Sequence, residues 1–97
     1  MQSDSMKFFE ALMAAPSPSG FEEPAQSVVY DRMKKFCDEV DSDVHGNVIG
    51  VLNPEAPLRV MLAGHVDQIG LMIKHITKEG YLHFESIGGI DAGTMPG

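Results

Sequence analysis

The sequence predicts an α/β fold that is followed by the start of a separate β-rich module. Residues 5–14 and 18–37 carry apolar side chains at three- to four-residue spacing, which predicts two helices. The continuous apolar run RVMLAG, residues 59–64, is typical of a strand that is buried on both faces of a sheet. After Asp67 the pattern changes to two alternating segments around TKEG, which predict a β-hairpin. We therefore place the boundary between the two modules just after Asp67.

Both predicted helices have a recognisable beginning or end. The first would end at residue 14, because the prolines of Ala15-Pro16-Ser17-Pro18 cannot continue a helix. The second would begin near Ser19, since Ser19 and Glu22 have the spacing of a capping box and Pro24 is tolerated in a first turn. The apolar residues expected on the buried faces are Met6, Phe9, Leu12 and Met13 in the first helix and Ala25, Val28, Val29, Met33 and Phe36 in the second.

Two β-hairpins are predicted, one on either side of the apolar run. Residues 38–52 indicate strand, turn and strand around His45-Gly46-Asn47, where Gly46 and Asn47 both tolerate positive φ. Residues 69–89 predict the second hairpin, with Gly80 in its turn. In its first strand, one face would carry Ile69, Leu71, Ile73 and His75, and the other Gly70, Met72, Lys74 and Ile76.

Composition and charge exclude several classes of partner. The chain has 97 residues, enough for one small domain, and 14 acidic residues against 7 Lys plus Arg give a formal net charge of −7. Nucleic acid and anionic membranes attract basic patches, so neither is an expected partner. The N-terminus has no signal-peptide pattern, no apolar run approaches membrane-spanning length, and Cys37 is the only cysteine. These features predict a soluble cytoplasmic protein, with Cys37 as a half-buried structural thiol.

His65 and Asp67 are the residues whose types and spacing point to chemistry. Side chains two positions apart on a strand point to the same side, so this His-x-Asp pair would meet on one face. A carboxylate that accepts a hydrogen bond from one ring nitrogen fixes the histidine tautomer and makes the other nitrogen a better metal ligand. The pair also follows a predicted buried strand, and open α/β sheets bind ligands at the carboxyl ends of their strands. The pattern predicts one corner of a metal site, although a histidine that ends a strand is often only hydrogen-bonded.

The remaining histidines and several carboxylates carry weaker signals. They are His45 in a predicted turn, His75 and His83 on opposite arms of the second hairpin, and the carboxylates Asp41, Asp43 and Asp91. For the two hairpin histidines, a surface pair across the strands is a simpler interpretation than a metal site. No spacing places the three carboxylates near His65, and Asp41 and Asp43 would keep an edge strand soluble. The sequence contains no nucleophile elbow, phosphate loop or dinucleotide pattern.

Three blocks of the sequence resemble one family of metallopeptidases. The blocks are PSPSGFEEPAQSVV, DSDVHGNVIGVL and VMLAGHVDQIGLMIKHITKEGYLHFESIGG. They resemble the N-terminal portion of the glutamyl aminopeptidase and tetrahedral aminopeptidase family, whose members are sometimes labelled endoglucanases. The resemblance covers nearly the whole chain, and its specific portion runs from Val60 to Gly89.

This resemblance implies a fold, a chemistry and a set of partners. Family members use two divalent metal ions, zinc or cobalt, to remove residues from the N-termini of peptide substrates. Their α/β/α catalytic sandwich is interrupted by a PDZ-like β-barrel domain, through which they form homo-oligomers. Residues 1–68 would then be the N-terminal part of the catalytic α/β domain, and residues 69–97 the incomplete start of the β-rich dimerisation domain. His65 matches the family's first metal-ligand histidine, and Asp67 matches the catalytic-site aspartate that orients it.

The resemblance also implies that most of the active site lies outside this chain. In the family the general-base glutamate and the remaining ligands follow the first β segment, so we expect the chain to be an N-terminal fragment that is inactive alone. Glu79 and Glu85 lie on the predicted hairpin and do not fill the role of the base. One alternative is a non-catalytic interaction module that binds a full-length relative through residues 69–89. A glycan hydrolase is a third interpretation, which would require paired carboxylates across a sugar cleft.

Overall fold

Two α-helices, two β-hairpins and a short 3₁₀ helix follow one another along residues 3–95, the portion of the chain that the computed structural model describes. Of the two predicted domains, 1–68 and 69–97, the first two residues of the former and the last two of the latter lie outside the described residues. The mixture of helices and strands agrees with the predicted α/β class. The strands in the described portion form two separate two-stranded antiparallel sheets rather than one layer.

Helix α1, Ser3–Ala14, confirms the first predicted helix. Its predicted buried face is wrong for Met6, Phe9 and Met13, which are 39–52% exposed. It ends shortly before Pro16 and Pro18, which lack the N–H that a continuing helix requires. The second helix, α2, covers Glu23–Met33. The Arg32 guanidinium of α2 donates a hydrogen bond to the Asp4 carboxylate of α1 and lies 5.6 Å from the centre of the Phe8 ring. An ion pair and a cation–π contact therefore join the two helices.

Helix α2 begins later than the capping-box spacing predicts. The predicted capping box is wrong, because Glu22 makes no capping hydrogen bond and its carboxylate accepts one from the Gly20 backbone N–H at 2.6 Å. The Ser19 hydroxyl is engaged by a residue that is distant in the sequence. Pro24 lies in the first turn, as predicted. Phe36 lies beyond the helix and is 53% exposed, so its predicted place in the buried stripe is also wrong.

The first hairpin confirms the predicted pattern of strand, turn and strand. Strand β1, Glu39–Ser42, pairs antiparallel with strand β2, Val48–Val51. Gly46 has a φ of +84° in the connecting loop. The Asp43 carboxylate accepts hydrogen bonds from the backbone N–H groups of His45 and Asn47, both at 2.9 Å. Asp43 therefore closes the loop, because it satisfies two backbone donors that the strands leave unpaired.

Strand β2 packs against the C-terminal end of helix α2. Gly50 approaches Met33 and Cys37 so closely that a methyl group at its Cα would lie 2.7 Å from Cys37 Sγ. Cys37 is a free, half-buried thiol, as predicted. The absence of a side chain at Gly50 permits this close approach.

The second hairpin also confirms its prediction, with one irregularity. Strand β3, Gly70–Ile76, pairs with strand β4, Leu82–Ile87, and Gly80 has a φ of +90° in the turn. The register shifts between Ile73 and His75, which leaves Lys74 without a residue opposite it on β4. The strict alternation of faces predicted for β3 is therefore wrong beyond Ile73, because an extra residue bends the strand locally. His75 pairs with His83, with ring centres 5.9 Å apart, which confirms a surface pair across the strands.

The apolar run 59–64 does not form the buried strand that the sequence predicts. These residues have no regular secondary structure, and Val60, Met61 and Leu62 are 76%, 87% and 93% exposed. A strand needs a neighbour that pairs with its N–H and C=O groups, and burial on both faces needs a layer of elements on each side. Among residues 3–95 no strand lies beside this run, so the prediction is wrong for the described portion of the chain.

The described residues bury few side chains among themselves. Within residues 3–95 the buried ones are Ala25 and Ser17, and large apolar side chains on both helices and both hairpins are exposed. Exposed apolar side chains on this scale are typical of surfaces that other parts of a protein or a partner cover. None of the helices in the same range is long and apolar enough to cross a membrane.

Candidate functional site

The two site residues that the sequence predicts lie in direct contact. His65 Nδ1 is 2.8 Å from Asp67 Oδ1. The His65 side chain is 85% exposed, whereas that of Asp67 is 42% exposed. Because a carboxylate accepts hydrogen bonds, this contact places the proton of a neutral His65 ring on Nδ1 and the lone pair on Nε2. Nε2 is therefore the nitrogen that is available to a metal ion.

A third residue, Ser19, completes the group. Its hydroxyl donates a hydrogen bond to Asp67 Oδ2 at 2.6 Å, so each carboxylate oxygen of Asp67 has its own partner. Ser19 lies in the loop between α1 and α2, 48 residues before Asp67. The sequence patterns did not indicate that Ser19 belongs to the site. Its only local signal was the spacing to Glu22, which indicated a helix cap. No spacing rule links residues so far apart.

Backbone hydrogen bonds hold the loop between α1 and α2 beside Gln68, the residue that follows Asp67. The Gln68 N–H donates to the Ser17 carbonyl at 2.7 Å, and the Ser19 N–H donates to the Gln68 carbonyl at 3.2 Å. Between these two bonds, Pro18 and Gln68 form an isolated parallel bridge. Gln68, directly after Asp67, is thus held by the interhelical loop, whereas the sheet that was predicted to hold residues 59–64 does not form in the described portion of the chain.

The Asp67 carboxylate is held in its ionised form. The hydrogen bond from Ser19, followed in importance by that from His65, holds the pKa of Asp67 below its usual range. Both hydrogen bonds favour the charged carboxylate, because an ionised carboxylate accepts them and a protonated one gives up an acceptor. The site therefore presents a permanent acceptor to His65 Nδ1 at neutral pH.

The residues present fit one corner of a metal centre. An exposed Nε2 and a carboxylate on Nδ1 are what metal-ligating histidines usually show. A zinc ion takes about four ligands, and a catalytic site keeps one position for water. The described residues 3–95 contain no group of three or more His, Cys, Asp or Glu side chains that could hold a metal ion. The other ligands of such a centre would have to come from elsewhere.

The other candidate carboxylates serve local structure. Asp41 accepts a hydrogen bond from the Ser42 backbone N–H at 2.8 Å. Asp91 accepts one from the Gly93 N–H at 2.9 Å, at the start of the 3₁₀ helix Ala92–Thr94. Asp43 is occupied in the loop of the first hairpin. Each makes a contact that explains its position without a metal ion.

Several proteins with related sequences are named aminopeptidases. The family model of the M42 glutamyl aminopeptidases matches residues 46–97. Lysyl aminopeptidase from Pyrococcus furiosus is 41% identical over 85 residues, which are 87% of this chain and 24% of that protein. A putative aminopeptidase from Acetivibrio thermocellus is 32% identical over 87 residues, which are 90% of this chain and 25% of that protein.

Solved structures of aminopeptidases show the same arrangement of helices and strands. A TET aminopeptidase from a marine sediment archaeon, Thaumarchaeota archaeon, matches with a TM-score of 0.77 and 37% identity over 89% of this chain and 24% of that one. An aminopeptidase from Desulfurococcus kamchatkensis matches with a TM-score of 0.71 and 31% identity over 94% of this chain and 26% of that one. The chain spans about a quarter of the length of these relatives. Because the family model covers more than half of its residues, the chain belongs to the M42 glutamyl aminopeptidase family.

Proposed function

We propose that this chain is the N-terminal part of a metal-dependent aminopeptidase, which hydrolyses residues from the N-termini of peptides. The observation that carries the proposal is the contact between His65 Nδ1 and Asp67 Oδ1 in a chain of the M42 family. Peptidases of this family are generally metal-dependent, and the relatives are named aminopeptidases. Because the chain spans about a quarter of their length, we assign the activity to the complete polypeptide and expect none from the isolated chain.

His65 and Asp67 have distinct roles in this proposal. His65 binds a divalent metal ion through Nε2, and Asp67 holds the ring from the opposite nitrogen. Zinc and cobalt both bind imidazole nitrogen, and the complete centre would hold two such ions. When bound, these ions polarise the scissile carbonyl and lower the pKa of a bound water. Asp67 acts through the histidine, because one of its oxygens accepts from His65 Nδ1 and the other from the Ser19 hydroxyl.

The general base is assigned to a residue outside the described portion of the chain. Glu85 lies on β4, and its carboxylate accepts a hydrogen bond from Lys74 Nζ at 2.6 Å. Glu79 lies in the turn of the same hairpin. A base must reach the attacking water within hydrogen-bonding distance, whereas the contact found for Glu85 is to Lys74 within the hairpin.

The division into two domains belongs to the same proposal. Residues 1–68 contribute to the catalytic α/β domain, and residues 69–97 begin a PDZ-like β-barrel through which copies of the protein associate. Support comes from the second hairpin, whose side chains Leu71, Ile73, Leu82 and Phe84 are 44–52% exposed. A two-stranded hairpin is marginally stable alone, so these side chains require further strands or a partner. The lone thiol of Cys37 is consistent with a cytoplasmic location.

The proposal is tested by metal binding to the complete native polypeptide that carries this sequence. The variants are His65→Ala, Asp67→Ala and, as a matched control, His45→Ala, which removes an exposed histidine from the loop of the first hairpin. Zinc affinity is measured by competition with a chromophoric chelator, and activity by release of N-terminal residues from peptides. Asp67→Ala should weaken zinc binding by about 10–100-fold, as the loss of a ligand-orienting partner does, and His65→Ala should weaken it further.

The control sets the scale for these losses. His45→Ala should leave zinc affinity within about twofold of the wild type, as expected of a surface substitution. If His65→Ala and His45→Ala had the same zinc affinity, His65 would not be a ligand. If the complete polypeptide bound zinc but released no residue from any peptide, the non-catalytic interaction module would take the place of the enzyme. None of the structural features described above favours that module.

A further inference from the structure

Asp67 is held from two directions by partners that belong to different regions of the chain. Its Oδ1 accepts from His65 Nδ1 at 2.8 Å, and its Oδ2 accepts from the Ser19 hydroxyl at 2.6 Å. Hydrogen bonds of hydroxyl groups to carboxylates are short and about twice as strong as those between neutral groups. The Ser19 contact is therefore one of the two main restraints on this carboxylate.

A second anchor is important because a carboxylate turns easily. The final torsion of an aspartate side chain is broad and roughly two-fold, so a single hydrogen bond leaves the plane of the group poorly defined. With both oxygens engaged, Asp67 can rotate only if it gives up a partner. The orientation of Asp67 sets the orientation of the His65 ring, because the two share the Nδ1 contact.

Ser19 is itself held in place by backbone hydrogen bonds. Its N–H donates to the Gln68 carbonyl, and the Gln68 N–H donates to the Ser17 carbonyl. These bonds fix the loop against the residue that follows Asp67. The backbone thus places the Ser19 hydroxyl beside Asp67 Oδ2, and no long, flexible side chain is involved. Serine has one torsion between its backbone and its hydroxyl oxygen, which limits the positions that this oxygen can take.

We infer that Ser19 is a positioning residue of the proposed metal centre, which fixes the Asp67 carboxylate and thereby the direction of His65 Nε2. This inference rests on the proposed function, since it takes His65 as a metal ligand. The loop between α1 and α2, which carries Ser19, then determines how strongly the centre binds its ion. Ser19 acts through Asp67 and does not itself contact the ion.

The test compares variants of the complete native polypeptide in zinc binding. Ser19→Ala removes the hydroxyl, Ser19→Thr keeps it, and Ser27→Ala is the matched control, because the Ser27 hydroxyl donates only to the Glu23 carbonyl of its own helix at 3.0 Å. Zinc alone is added to metal-free protein in competition with a chromophoric chelator. Ser19→Ala should bind zinc about tenfold more weakly, at the low end of the range for partners that orient a ligand. Ser19→Thr should recover most of the affinity, and Ser27→Ala should match the wild type.

A double-mutant cycle separates positioning from a general loss of structure. If Ser19 acts through Asp67, then Ser19→Ala should cause no further loss of zinc affinity in the Asp67→Ala background. The thermal midpoint of the metal-free protein, measured for each variant, shows whether the fold has changed. If Ser19→Ala does not fold, Ser19→Cys replaces it, since a thiol has similar size and is a weak donor.

The outcomes distinguish this inference from the proposed function. Wild-type affinity in Ser19→Ala, or an equal further loss in the Asp67→Ala background, would overturn the role of Ser19 and leave the metal centre intact. Absence of zinc binding by the wild type would overturn the proposed function, and the role of Ser19 with it.

Discussion

Gly50→Ala tests the packing of the first hairpin against helix α2. A Cβ at position 50 would lie 2.7 Å from Cys37 Sγ and 2.9 Å from Met33 Sδ, whereas favourable contacts begin near about 3.5 Å. The Met33 side chain is flexible and can move. Cys37 is shorter, and its backbone N–H is hydrogen-bonded to the Met33 carbonyl at 2.8 Å, so only its thiol can rotate away. An overlap of nearly 1 Å with a short side chain therefore has to be relieved by a shift of the strand or of the thiol.

The expected cost follows from these contacts. Overpacking a filled position costs about 1–3 kcal/mol. Replacing a strand glycine by alanine recovers about 0.5–1 kcal/mol of backbone entropy. We therefore expect Gly50→Ala to lower the free energy of unfolding of the complete native polypeptide by up to about 2.5 kcal/mol. The measurement is equilibrium unfolding in urea, read as a change in midpoint at constant slope.

Two further variants decide whether the overlap is the cause. Gly89→Ala is the matched control, because no atom lies within 4 Å of its added Cβ and its φ is not in the left-handed region. Because nothing opposes the added Cβ, the lower entropy of its unfolded chain should raise the free energy of unfolding by about 0.4–1 kcal/mol. In the Cys37→Ala background the cost of Gly50→Ala should fall, since the thiol is gone. An equal cost of Gly50→Ala in both backgrounds would refute the reasoning.

Two other predictions concern the loops of the hairpins. The hydrogen bonds from the Asn47 side chain and backbone lower the pKa of Asp43, so its contribution to the loop is present above the unfolded pKa near 3.8 and is lost as the pH falls through the lower folded value. The NMR shift of the Asn47 amide should therefore change in acid in the wild type but not in Asp43→Asn, which keeps an acceptor oxygen and cannot titrate. Gly80→Ala should destabilise the second hairpin by about 1–2 kcal/mol, because Gly80 has a φ of +90°, where a Cβ is strained. Gly80→Asn should cost less in the same urea experiment, and equal costs would count against backbone strain.

Interactions between residues close in the sequence were predictable from the sequence. Both hairpins follow from alternating segments on either side of a glycine that adopts positive φ, at Gly46 and Gly80. The contact of His65 with Asp67 joins residues two positions apart, so residue type and spacing suffice to predict it. It forms even though the strand expected to carry it does not.

The tertiary structure decided the interactions that depend on distant partners. An apolar run such as 59–64 becomes a buried strand only where neighbouring strands and covering layers exist, and residues 3–95 supply neither. The Ser19 hydroxyl had two possible hydrogen-bond partners. One was a backbone group at a helix end a few residues away, and the other was the Asp67 carboxylate 48 residues away. A local pattern contains only the first. The fold brings Asp67 Oδ2 within 2.6 Å of the Ser19 hydroxyl, which donates a charge-assisted hydrogen bond to it.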